Sequence, residues 1–457
     1  MASSSSSAPS PVQVKDPDES PTVSFVSELP DKQVTDLKLQ LDAFIVQHAT
    51  HHRPVALVSS GGTAADLEAH AVRCLDNFST GLRGAVSVEE FLARGYAVVH
   101  LWREGSASPF ARVVSQYLGA SQANHGLSVE SLGRLFAVEG EDEDDELVRS
   151  VLEAERDPWL TDANDTDKTV ASQAPTKRPA TDVVNLNRGL VYSTKVHKAL
   201  RERSRALQEG CLLTIPFRSV EEYIAKLQIS AEALDVCDSL SVFYLAAAVS
   251  DFYVPRSERS EHKIQSKDAS GEQSLILTLK PVPKVIELLR KTWAPGAFVV
   301  SFKLETDHTI LRQKAERAVE RYGCHMVIGN LLQTRHEKVW VLTPEDQRIK
   351  NPSTAKDWPM QEIQKSSATE VDSLESSLMD FVIQSHFEFI SWHFHADGSG
   401  VKAAKRTQEL LKERKKRIQR DILWNRVKQH GLEIAGAALA FLISYTINFT
   451  LQRRLRR

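Results

Sequence analysis

Asn77 stands between two glycine-rich turns, Gly61-Gly62-Thr63 and the Ser79-Thr80-Gly81 run that leads to Gly84. The apolar stretch Val55–Ser59 precedes the first turn and reads as a buried strand; a helix over Ala85–Arg94 follows the second. Turns of this kind leave backbone N–H groups open to a ligand, and a helix start adds the positive end of its dipole. The pattern therefore suits an anion, such as a phosphate, at the carboxyl edge of a parallel sheet. An ordinary tight strand-to-helix loop uses the same glycines, so the turns alone leave both readings open.

Three other segments carry residues with chemical uses. Ala246-Ala247-Ala248 ends an apolar strand with small side chains and runs into Val249-Ser250-Asp251, which admits a bulky ligand against bare backbone. A packed strand end with Asp251 capping a turn is the alternative. Lys263, in Glu261-His262-Lys263, could reach a phosphate as a mobile point charge or stand solvated. Phe302-Lys303 and Gly329-Asn330 each end a strand with residues suited to stacking on a base or hydrogen-bonding its edge.

The elements that must position these residues alternate along the chain. An amphipathic helix over Lys32–His48 precedes the first strand. Strands are expected at Ala97–Leu101, Cys211–Pro216, Val242–Ala248, Leu275–Leu279, Ala297–Phe302 and His325–Ile328, with an edge strand at Val339–Leu342. Helices are expected over Lys195–Gln208, Val220–Leu227, Lys284–Thr292, Ile310–Tyr322 and Leu374–Ile390. Short apolar strands alternating with amphipathic helices specify an α/β fold with a mainly parallel sheet, its strand-end loops on one edge.

Composition limits the classes. The chain has 457 residues, 42% hydrophobic and 26% charged, with a net charge of −3, so no bulk basicity argues for nucleic acid. Cys74, Cys211, Cys237 and Cys324 are far apart with no zinc spacing, which suits a reducing, cytoplasmic compartment. Cys74 reads as a small core residue rather than a nucleophile. His48, His51 and His52 read as a helix end rather than a metal site, because no carboxylate or cysteine completes the set. Residues 1–30 read as a disordered arm and 138–182 as a disordered acidic insertion, whose consecutive carboxylates repel one another and form no metal cage.

Taken in order, VSSGGT, VRCLDNFSTGLRGA, FYLAAAVSDFYVP, EHKIQS, LKPVPK, SFKLETD and IGN resemble the phosphopantothenoylcysteine synthetases of coenzyme A biosynthesis, in their eukaryotic form, over roughly residues 32–390. The resemblance implies a Rossmann-like, homodimeric ligase domain over 31–390 that joins 4′-phosphopantothenate to L-cysteine. ATP with Mg²⁺ would drive the reaction through an acyl-adenylate. By motif position, Asn77 would hold the intermediate and Lys263 would assist catalysis. Gly61, Ser79, Gly81 and Gly84 would line the nucleotide's phosphate and ribose, with Phe302 and Asn330 on its base. Ala247, Ala248 and Asp251 would contact phosphopantothenate, across the dimer interface. Lys303 favouring a triphosphate is an inference from its charge, not from a motif.

Beyond Ser391 the resemblance stops. Residues 391–430 read as a basic amphipathic linker helix, and Leu432–Leu451 as a candidate transmembrane helix of about the ~20 residues a bilayer requires. Such a tail would set location, by membrane contact, and would not be needed for catalysis. The rival readings are a nicotinamide-dependent reductase, which lacks a G-x-G-x-x-G turn after the first strand, and a non-catalytic scaffold of the same fold acting through its tail.

Overall fold

A computed structural model describes residues 25–117, 136–138, 184–186, 194–264, 275–344, 358–365, 374–395, 408–414, 416 and 419–420. The expected disordered insertion at 138–182 and the expected membrane span at Leu432–Leu451 fall almost wholly outside them. Among the described residues no helix is long and apolar enough to cross a membrane.

The main sheet has eight strands: β1 (Val55–Ser60), β4 (Ala97–Arg103), β7 (Leu212–Phe217), β8 (Ser241–Leu245), β11 (Phe298–Glu305), β12 (Met326–Leu331), β13 (Lys338–Leu342) and β14 (Met360–Gln364). Small two-stranded ladders are made by β2 (Ala64–Asp66) with β3 (Cys74–Asp76), β5 (Phe136–Val138) with β6 (Val184–Leu186), and β9 (Phe252–Tyr253) with β10 (Lys280–Pro281). The helices are α1 (Asp31–Ala49), α2 (Leu82–Ala93), α3 (Ala111–Tyr117), α4 (Thr194–Gln208), α5 (Val220–Leu234), α6 (His308–Tyr322) and α7 (Leu374–His395).

The sheet order is β14-β13-β12-β11-β8-β1-β4-β7. All pairs from β12 through β7 are parallel, and β13 and β14 add antiparallel strands at one side. The chain lays β4 and β7 to one side of β1, then returns to lay β8, β11 and β12 on the other. The order therefore reverses between β1 and β8, and a crevice opens there at the carboxyl ends of the strands. The α/β Rossmann-like class is what the sequence implies.

Burial explains the strand sequences. Every residue of β1 and β8 is buried, as a parallel sheet covered on both faces requires. Val55, Leu57, Val99, Phe243 and Val299 face α1 and α5, while Ala56, Val58, Val98, Tyr244 and Val300 face α2 and α7. On α1 the inward residues Leu37, Leu41, Phe44 and Ile45 keep helical spacing. Ser219 caps α5 by accepting the Glu222 N–H at 3.2 Å. Asp307 caps α6 through the N–H groups of Thr309 and Ile310, and Gly323 ends that helix with φ 65°.

Several boundaries differ from the sequence reading. Leu275–Leu279 is not a strand; only Lys280-Pro281 pairs, because Pro281 and the exposed Ile276 offer no buried alternation. Val339–Leu342 is not an edge, since β14 pairs outside it. The arm boundary at residue 30 is too late: Phe25 and Leu29 are buried, and Phe25 packs edge-on against Tyr253 at 5.9 Å. At the other end α7 continues past residue 390, and residues 408–414 form a helical turn docked on the α/β domain. Leu411 joins the core. Arg414 Nε lies 3.1 Å from Asp42 Oδ1, and its Nη1 donates to the Ala233 carbonyl at 2.7 Å. This part of the basic tail packs on the fold, whereas the sequence reading makes residues 391–430 a linker.

Candidate active site

The β1–β8 crevice is closed by backbone rather than by side chains. After β1, Gly62 bridges Ala248: the Ala248 N–H donates to the Gly61 carbonyl at 2.8 Å, and the Thr63 N–H donates to the Ala248 carbonyl at 3.0 Å. Thr63 and Ser250 then lock the two turns together, their hydroxyls 2.9 Å apart and the Ser250 N–H donating to Thr63 Oγ1 at 2.8 Å. Onto this double turn the β2–β3 hairpin returns the chain. The Asn77 N–H donates to the Thr63 carbonyl at 3.2 Å, and its Nδ2 lies 3.4 Å from the Ala248 carbonyl. Asn77, Ala247 and Ala248, far apart in sequence, are thus brought to one place.

Glycine is required where these backbones touch. A Cβ on Gly62 would sit 1.7 Å from the Asn77 carbonyl oxygen. A Cβ on Gly84 would meet the Ser60 Cβ at 2.2 Å, so Gly84 lets α2 settle on the end of β1. Its contribution is this close packing of the helix start, whereas Gly61, Ser79 and Gly81 form the loop itself; the Gly81 N–H is 3.4 Å from Ser79 Oγ. Under this floor His100 is fully buried, its Nε2 2.8 Å from Ser60 Oγ, and burial pushes its pKa down to about 3, so the ring is neutral.

Sequence reasoning missed the arginines that hold the crevice. Arg103, at the end of β4, grips Asp76 with both Nη atoms (2.6 and 3.2 Å) and donates to the Gly62 carbonyl at 2.9 Å. It ties the residue before Asn77 to the first glycine turn; a charged residue closing an apolar strand was the available signal. Arg83, between Gly81 and Gly84 in the first turn of α2, donates to Asn330 Oδ1 and to the Arg335 carbonyl, with Glu375 at 3.6 Å. Asn330 is buried, its Nδ2 3.4 Å from the Lys303 carbonyl. The amide expected to face a base is already oriented by Arg83.

Phe302 lies half-buried near the same place, packed edge-on against Tyr244 at 4.9 Å. Strand alternation sends Lys303 to the opposite face of the sheet. There burial lowers its pKa, with Cys324, Lys284 and Asp251 close by. Lys303 and Phe302 therefore face opposite sides of the sheet. Asp251 is exposed on the loop after β8, with Lys284 Nζ 3.3 Å from its carboxylate. Lys263 lies farther along that loop, on a segment joined to the β2–β3 turn. Among the described residues no group of three His, Cys, Asp or Glu side chains could hold a metal.

Comparison with known proteins identifies the family of this fold. Residues 218–373 match the family model described as the DNA/pantothenate metabolism flavoprotein C-terminal domain. The rice (Oryza sativa subsp. japonica) protein "Phosphopantothenate--cysteine ligase 2" is 35% identical over 337 residues, covering 74% of this chain and 81% of its own. The human protein "Phosphopantothenate--cysteine ligase" is 36% identical over 304 residues, covering 66% and 80%. A solved structure of a Cab2 mutant in complex with phosphopantothenate-cysteine is 30% identical and covers 79% of this chain and 94% of its own, with a TM-score of 0.54. The chain belongs to the phosphopantothenate–cysteine ligase family.

Proposed function

We propose that the β1–β8 crevice is where this ligase makes 4′-phosphopantothenoylcysteine from 4′-phosphopantothenate, L-cysteine and ATP, releasing AMP and pyrophosphate. The observation that carries the reading is the convergence of Asn77, Ala247 and Ala248 on one hydrogen-bonded double turn at the point where strand order reverses.

A carboxylate is a poor electrophile, so the acid must first gain a leaving group. An oxygen of the pantothenate carboxylate attacks the α-phosphorus of ATP, the bond to the bridging oxygen breaks, and pyrophosphate leaves. Charge builds on the α-phosphoryl oxygens. Asn77 Nδ2, held only by a long 3.4 Å contact, is free to turn its N–H toward them. In the second step the cysteine amine attacks the acyl carbon and gives up a proton. AMP then departs with the oxygen that joined the acid to phosphorus.

Small side chains at Ala247 and Ala248 admit the pantothenate arm, and Asp251 lies on the loop that follows. Phe302 offers a ring face to the adenine, while Arg83 fixes the Asn330 amide at its edge. Mg²⁺ would arrive with the triphosphate, which supplies most of its ligands as phosphate oxygens and water. Phe78, 99% exposed beside Asn77, and Phe252, 55% exposed on β9, support a homodimer in which a second copy covers this flank. The scattered free cysteines support a cytoplasmic setting.

The purified chain should release pyrophosphate with ATP and phosphopantothenate alone, in an amount equal to the enzyme sites. Sustained release, with AMP, should require cysteine. Turnover without a nucleotide, or reduction of a nicotinamide, would reject the reading.

A further inference from the structure

Glu68 is a fully buried carboxylate between two loops, and no substrate role accounts for it. Its Oε2 accepts the Arg73 N–H at 2.9 Å, within the turn that joins β2 to β3. Its Oε1 accepts the Ile264 N–H at 3.3 Å, in the loop that carries Lys263. Arg73 completes the clasp: Nη2 donates to the Ile264 carbonyl at 2.7 Å, and Nε lies 3.9 Å from Glu68 Oε1. The backbones meet alongside, where Glu68 bridges Ser260 and the Ala69 N–H donates to the Ser260 carbonyl at 2.9 Å. The rings of His70 and His262 stack over the junction at 6.1 Å.

The clasp holds Ile264 by both its N–H and its carbonyl, one residue after Lys263. Its other half belongs to the hairpin that ends at Asn77. A buried carboxylate is costly unless its oxygens are occupied, so this one holds firmly only while both loops are in place. We propose that Glu68, with Arg73, is a positioning residue that sets the Lys263 segment relative to Asn77 for the transfer of the α-phosphoryl group. The inference rests on the ligase reading above and on Lys263 acting in that step.

A double-mutant cycle with the full chain tests it. Glu68→Gln keeps the size but turns one acceptor into a donor. It should lower kcat by about 10- to 100-fold, the scale of an ångström-level misplacement. The KM values for ATP and phosphopantothenate should stay within about twofold, since substrate contacts are untouched. In a Lys263→Ala background the same change should add almost nothing, because its effect passes through the lysine. Hydrogen exchange at the Ile264 amide should rise in Glu68→Gln while β1 amides stay protected. Arg73→Lys, a milder change that removes the planar fork, should show the same exchange effect if Glu68→Gln folds poorly. Multiplicative losses in the double variant, or unchanged exchange at Ile264, would overturn the proposal. If the wild type releases no pyrophosphate, the ligase reading has failed instead, and the exchange measurement still judges the clasp.

Discussion

The two halves of the crevice are built from different materials. The half around β1, β8 and the Asn77 hairpin is backbone held to backbone, with glycine and alanine where the chains touch. The half at the ends of β11 and β12 is side chain held to side chain: Phe302 on Tyr244, and Arg83 across α2 to Asn330 and Arg335. A backbone cradle tolerates little substitution: a Cβ on Gly62 would meet the Asn77 main chain, and one on Gly84 the Ser60 side chain. A side-chain cradle can be retuned one residue at a time. On the function proposed above, the chemistry belongs to the first half and the choice of nucleotide to the second.

The largest effect is expected where backbone sets the chemistry. Asn77→Asp should reduce kcat by roughly 10²–10³-fold, the usual loss for one donor to developing oxyanion charge. ATP affinity should change little, because the base contacts lie in the other half. Wild-type turnover in the purified variant would break the comparison at its root.

The sheet also rests on buried neutral histidines, one near each end of its strands, and acid should loosen both. His100 underlies the end of β1, with its pKa lowered by burial to about 3. His386 on α7, lowered by burial to about 4, donates its Nε2–H to the Ser239 carbonyl at 2.8 Å and accepts from the Tyr96 hydroxyl at Nδ1, also at 2.8 Å. In the unfolded chain both take a proton near the ordinary value of 6.5, while the folded forms do not. Stability is therefore full above about pH 6.5 and falls as pH drops, levelling only below the folded values. At pH 5 each histidine should cost about 2 kcal/mol, 1.5 pH units at about 1.36 kcal/mol per unit. Denaturant melts at pH 7 and pH 5 read this directly, and an unchanged midpoint would show that the rings are protonated in the fold.

The smallest effect is expected in the side-chain half. Phe302→Ala should raise the KM for ATP by the equivalent of about 1–3 kcal/mol if the ring stacks on the base, with kcat largely kept. Equal use of CTP and ATP by the unaltered chain would remove nucleotide choice from Phe302 and Asn330.

This contrast also governs what could be read from the sequence. The first half was legible because backbone contacts demand particular residues in runs: Gly62 against Asn77 and Ala248 against Gly61 leave long, ordered motifs. Most strands and helices were legible for a similar reason, since strands buried on both faces are continuously apolar. Arg83, Arg103 and Glu68 were not, because their partners Asn330, Gly62 and Ile264 are brought close only by the fold. The β2–β3 hairpin and β14 were hidden by their length and by half-exposed sequences with no clean alternation. Leu411 fits the apolar face of a basic amphipathic helix, but the core it joins is set only by tertiary packing.

In the proposed reaction the pantothenate carboxylate is joined to the α-phosphorus of ATP in the Asn77 crevice. Phosphopantothenate labelled with ¹⁸O in its carboxylate tests it. With ATP and cysteine, one labelled oxygen should appear in the phosphate of AMP for each amide formed, with unlabelled pyrophosphate as the other product. Label in inorganic phosphate with ADP, or AMP free of label, would contradict the account.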